Sequence, residues 1–134
     1  MASTDILAVL HNMRTAAYYL EAEMLRRQKG AAAMANSSPD SEDQAAIRCL
    51  VGTWEMIAAI TLPLGENDRK RVFEVFPILH MYSALEGAIE VYRAEDPDFA
   101  EKFERLKNEQ DDWLNADGLR YRSGQIGGVH AYFG

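Results

Sequence analysis

Glu86 and Glu90 stand one helical turn apart, and two carboxylates on one helix face can divide acid and base roles when a pocket faces them. Arg93 follows three residues after Glu90. That spacing favours an ion pair on a wet face, worth roughly a few tenths of a kcal/mol, over a catalytic pair. His80 lies near Tyr82 and Glu86 and could carry a proton or serve as a lone ligand. The three histidines, His11, His80 and His130, form no His-x-x-x-His, His-Glu-x-x-His or Glu-x-x-His pattern, so neither a zinc clamp nor a di-iron site is expected. Cys49 is the one cysteine; with no base spaced to activate it, it reads as a buried structural thiol. The run Ser123-Gly124-Gln125-Ile126-Gly127-Gly128 resembles a phosphate loop but lacks the Gly-Lys-Ser/Thr ending and follows no strand. No nucleophile elbow or kinase signature occurs. The expectation is no catalytic residue, no metal and no cofactor. The alternative is a small-molecule sensor or enzyme whose pocket lies near Trp54, His80, Tyr82 and Glu86.

Charge points away from chemistry and towards surfaces. Fourteen basic and twenty-one acidic residues leave a net −7. Such a chain repels nucleic acid and anionic membrane. The excess is concentrated: residues 95–117 hold nine acidic and three basic groups. A solvated helix face explains this, and so does an acidic surface that docks onto a basic protein. Glu101, Glu104, Asp111 and Asp112 are the candidates for such contact. In a chain of 134 residues, 48% hydrophobic and 26% charged, a single domain with its own core is expected. No apolar run approaches the roughly 20 residues of a membrane span, and no signal peptide is evident, so a cytoplasmic location is the default.

Helical periodicity must position these residues. Ile6, Leu10, Met13, Ala17, Leu20 and Met24 recur at alternating spacings of four and three, the seam of a bundle or of a homodimer. This first helix begins at Ser3 or Thr4 and stops at Gly30, or continues through the alanines to Ala35. Ser41 and Gln44 have capping-box spacing and open a second helix with Ile47, Leu50, Val51, Trp54, Ile57, Ala58 and Thr61 on its apolar face; Pro63 and Gly65 end it. A third helix, capped at Asn67 or Asp68, carries Val72, Phe73 and Phe76; Pro77 forces either a kink or a restart, and the pattern goes on through Ile78, Tyr82, Leu85, Ile89 and Tyr92. Asp96-Pro97 starts a fourth, with Phe99, Phe103, Leu106, Gln110 and Trp113 on one side. The fold class is therefore all-α: an antiparallel bundle of four helices, the third kinked, spanning residues 1–118.

Residues 119–134 differ in kind, with four of the nine glycines and no helical period. Arg120, Tyr121, Arg122, Tyr132 and Phe133 are residue types that anchor protein interfaces, and the segment either folds back onto the acidic helix or meets a partner. Base stacking by these aromatics is opposed by the acidic stretch just before them.

The order Trp54-Glu55-Met56-Ile57-Ala58, Leu64-Gly65, Val75-Phe76 with Tyr82 and Arg93, then Phe99 and Phe103-Glu104-Arg105-Leu106 resembles an uncharacterised bacterial family of small helical domains. The resemblance covers residues 54–113 and implies a helical fold, with no activity to transfer. Members often follow membrane helices, whereas this chain has a polar amphipathic first helix. The functional expectation is a non-enzymatic, acidic protein-binding module that regulates or inhibits a larger bacterial or phage protein, such as a nucleic-acid-binding defence machine.

Overall fold

A computed structural model describes residues 3–116, and they form helices with no strand among them. Seven helical segments appear where periodicity predicts four rods. The first rod is three pieces: α1 (Ser3–Thr15), α2 (Ala17–Lys29) and α3 (Ala31–Ala35). Then come α4 (Glu42–Thr61), α5 (Glu66–Val75), α6 (Ile78–Arg93) and α7 (Glu101–Ala116). The expected domain boundary at 118 lies outside the described residues, as does the 119–134 extension.

The first rod departs most from its periodicity. Ala16 takes an extended conformation (φ −61°, ψ 142°) and breaks the helix. The break resets the phase: Ile6 and Leu10 are buried before it, and Tyr19, Ala22 and Glu23 after it. Leu20 and Met24, expected in the seam, are instead 49% and 62% exposed. The new phase brings Tyr19 under Trp54, whose indole N–H donates to the Tyr19 hydroxyl at 2.9 Å. No glycine or proline marks the break, and the contact it permits is with a residue 35 positions away. Gly30 supplies the second break, with φ 88° and ψ 142°, a backbone conformation that L side chains rarely adopt. Then α3 packs against α6 so closely that a Cβ on Gly87 would lie 3.1 Å from that of Ala32.

The α4 helix runs through the centre, touching α1, α2, α3, α6 and α7. Ser41 caps it, its hydroxyl accepting from the Gln44 N–H at 3.2 Å. Every residue of its expected apolar face is buried. Trp54 stacks on Phe103 of α7 (5.7 Å), and Tyr82 of α6 meets the same ring edge-on (5.1 Å). Arg14 lies over the outer face of this aromatic cluster, 5.0 Å from the Trp54 ring centre.

At Pro77 α5 ends and α6 starts, the two at 72° to each other. That break leaves backbone groups without intrahelical partners. The buried Gln110 amide of α7 serves them: its Nε2 donates to the Phe73 and Phe76 carbonyls (3.0 and 2.9 Å), and its Oε1 accepts from the Leu79 N–H (2.8 Å). Likewise α7 starts not at Pro97 but at Glu101, after Ala100 with φ 62°. Its first amides find a carboxylate from α4, Phe103 N–H donating to Glu55 Oε1 at 2.8 Å. Replacing Gln110 with leucine keeps most of the volume and strands the Phe73 carbonyl and the Leu79 N–H, while the Phe76 carbonyl keeps the Ile78 N–H at 3.0 Å. At about 1 kcal/mol for each stranded group, the expected loss is about 2 kcal/mol, read as a lowered urea midpoint at unchanged slope.

Candidate functional site

The four pocket candidates do not converge. Trp54 is fully buried between Tyr19 and Phe103. Tyr82 is buried too, its hydroxyl donating to Glu104 Oε2 at 3.1 Å and its ring beneath Lys107 Nζ at 4.6 Å. Burial first, then the Glu104 and Glu86 carboxylates, push the Tyr82 hydroxyl up to about 12 despite the opposing Arg93. Glu86 stays exposed on α6. His80 faces α2 instead. Burial lowers its pKa, Arg26 and Arg27 add to that, and Glu23 opposes. Glu23 is itself held by Arg26 through two hydrogen bonds (2.7 and 3.0 Å). Trp54 and Tyr82 therefore share the wall around Phe103, and His80 belongs to a separate ion-paired face.

The expected Glu90–Arg93 pair does not form. Arg93 turns to the next helix, its Nε donating to the Phe99 carbonyl (2.8 Å) and its Nη1 to Glu104 Oε2 (3.3 Å). Cys49 is half-buried rather than buried; the low-dielectric surroundings raise its thiol pKa, so it is held in the protonated, weakly nucleophilic form. Among the described residues no group of three His, Cys, Asp or Glu is placed to hold a metal ion.

The acidic candidates divide by role. Glu104 is committed to Arg93 and Tyr82, and the Arg93 guanidinium holds its carboxyl below the usual range. Asp111 is half-buried and engaged. Glu101 and Asp112 are exposed at opposite ends of α7. Arg120, Tyr121, Arg122, Tyr132 and Phe133 lie outside the described residues.

The turn before α7 gathers the most open charge. Glu95, Asp96, Asp98 and Glu101 are all exposed, and no ion pair among the described residues holds them. Both flanks of the turn are fixed. On one side Tyr92 donates to Gln44 Oε1 (2.5 Å), packs on Phe99 (4.9 Å) and lies under Arg48 (4.4 Å). On the other, Glu55 holds the start of α7. The charge count of 95–117 marks this stretch, but picking out its free members required knowing that Arg93 turns inward to Glu104. At the other end of α7, Phe73, Glu109 and Trp113 join Glu66, Arg69 and Lys70 around a cleft of about 240 Å³. Periodicity placed Phe73 and Trp113 on inward faces and gave no sign of the opening.

No single helix of the described residues is long and apolar enough to cross a membrane. No family model matches the chain, and no curated protein or solved structure matches it.

Alkaline titration tests the Tyr82 wall. Because the hydroxyl pKa is about 12 when folded and 10.0 ordinarily, the unfolded chain releases this proton first. Its stabilising contribution is intact below pH 10 and is lost as pH rises towards 12. Tyr82→Phe is expected to cost about 1 kcal/mol at pH 7, from the lost bond to Glu104, and to flatten the alkaline fall in stability measured by urea unfolding.

Proposed function

We propose that the chain is a non-enzymatic protein-binding module, a regulator or inhibitor of a larger bacterial or phage protein in the cytoplasm. The observation that carries this reading is the turn bearing Glu95, Asp96, Asp98 and Glu101: four open carboxylates within seven residues, held from both sides. A turn whose flanks are held before binding has less backbone to order on docking, and a concentrated negative patch steers a basic surface into register. The partner class is a protein with a cationic face, including one that uses that face for nucleic acid. A net −7 disfavours direct nucleic-acid binding by the chain itself. The fold belonging to this reading treats the seven segments as four antiparallel rods, with α5 and α6 as one rod bent at Pro77. The resemblance of residues 54–113 to the uncharacterised bacterial helical family belongs to the same reading and concerns fold alone.

A homodimer is the second reading, and the exposed Leu20 and Met24, one turn apart on α2, favour it. Leu20→Ser with Met24→Ser is expected to convert such a dimer to monomer in sedimentation at unchanged helicity; an unaltered sedimentation coefficient counts against it.

For the leading reading, Glu95→Gln, Asp96→Asn, Asp98→Asn and Glu101→Gln are combined. Neutralisation rather than reversal spares the start of α7, where a cation would oppose the helix dipole. The wild-type chain is expected to retain a basic protein in affinity capture, with retention falling as salt rises, and the neutralised chain to lose it at unchanged circular dichroism. Equal retention by both overturns the role of the turn.

A further inference from the structure

The open side of α4 differs from the open sides of its neighbours. Ala45, Cys49, Gly52, Met56 and Ala59 recur at spacings of four, three, four and three, so they share one side of the helix. All are exposed except the half-buried Cys49, with Met56 at 57%, and none is charged. The open sides of α6 and α7 instead carry Glu86 and Glu90, and Glu101, Lys102 and Arg105. Gly52 is the member of the stripe that the folded chain does not explain. Glycine is the poorest helix former after proline, and this one stands in the middle of the 20-residue α4. Its φ is not positive, and a Cβ built on it would meet no atom within 4 Å among the described residues. Gly87 shows what a helical glycine does elsewhere in this fold, admitting α3 until a Cβ there would lie 3.1 Å from that of Ala32. Gly52 offers the same closeness where no described residue uses it.

We propose that this face of α4 binds the same face of a second copy of the chain, the two helices antiparallel about a twofold axis. Alternating spacings of four and three are the repeat by which helices pack side by side, and a twofold contact requires a self-complementary face. One register satisfies shape and charge together. With Gly52 against Cys49 of the second copy, Met56 falls against its Ala45, so each larger side chain meets a small one. Arg48 and Glu55 lie on one edge of the stripe, each one residue before a larger member. In the same register Arg48 stands opposite Glu55 of the second copy, and the symmetry makes that pair twice. Both side chains are positioned beforehand. The Arg48 guanidinium lies 4.4 Å from the Tyr92 ring centre, and Glu55 accepts from the Phe103 N–H while staying half-buried, with acceptor sites to spare. The contact uses neither the acidic turn nor Leu20 and Met24, so it stands or fails apart from both readings above.

The experiment is sedimentation equilibrium of the full-length chain and of its Gly52→Gln variant, at concentrations up to about 1 mM. Glutamine is a good helix former entering open space, so it is expected to raise the melting temperature of the dilute monomer while holding two α4 helices apart. The wild type is expected to dimerise with concentration and Gly52→Gln to stay monomeric. A raised melting temperature then excludes a damaged fold as the cause. Arg48→Glu is expected to weaken the dimer about tenfold, whereas Arg27→Glu, the same charge change on α2, leaves it unchanged. A wild type that stays monomeric, or a dimer that survives Gly52→Gln or is indifferent to Arg48→Glu, overturns the proposal. So does a lowered melting temperature of Gly52→Gln, which shows the face already covered by another part of the chain, residues 117–134 included.

Discussion

Side chains from distant helices complete helix ends that the local sequence leaves open, and the architecture depends on that. Gln110 of α7 serves three backbone groups at the α5–α6 break. Gln44 of α4 does the same for the end of α3, donating to the Ala35 and Ser37 carbonyls (2.6 and 3.0 Å) while it accepts from Tyr92. Glu55 of α4 supplies the start of α7. A buried backbone group without a partner costs about 1–3 kcal/mol. Three breaks left open would therefore consume much of the roughly 5–15 kcal/mol by which domains are stable. The fractured rods are tolerated because each fracture lies against a polar side chain of another element.

Much of this fold is legible in the sequence, and the unread part has a physical pattern. The inward faces of α4, α5, α6 and α7 follow from spacing alone, including Gln110 on an otherwise apolar stripe. The Ser41 cap and the stop at Gly30 follow from residue type. What periodicity misses is the phase change at Ala16, since a four-three repeat runs through Leu20 and Met24 without local interruption. Burying Tyr19 against Trp54 outweighs the continuous seam, and that preference resides in a residue 35 positions away. The late start of α7 has the same origin: Asp96-Pro97 is a good local signal, yet the amides that receive a carboxylate are those of Lys102 and Phe103.

The candidate surfaces divide similarly. Net charge locates the acidic stretch, but side-chain commitments decide which carboxylates are available. Glu104 is part of the wall made by Tyr82, Phe103 and Arg93, so it acts on stability before it acts on any partner. Glu95, Asp96, Asp98 and Glu101 remain open. One sixteen-residue helix therefore has an acidic turn at its start, a structural carboxylate in its first turns, and an aromatic–carboxylate cleft near its end. Those three environments alternate faster than any composition window resolves.

The reach of Gln110 also bears on the order in which the molecule is built. Its partners Phe73, Phe76 and Leu79 are made 31 to 37 residues earlier than the amide that satisfies them. On a ribosome the break at Pro77 therefore emerges with the Phe73 carbonyl and the Leu79 N–H still bonded to water, and α1–α6 precede the side chains that α7 adds to the core. Phe103, the ring shared by Trp54 and Tyr82, arrives equally late. Completion of the core among the described residues is tied to synthesis of α7.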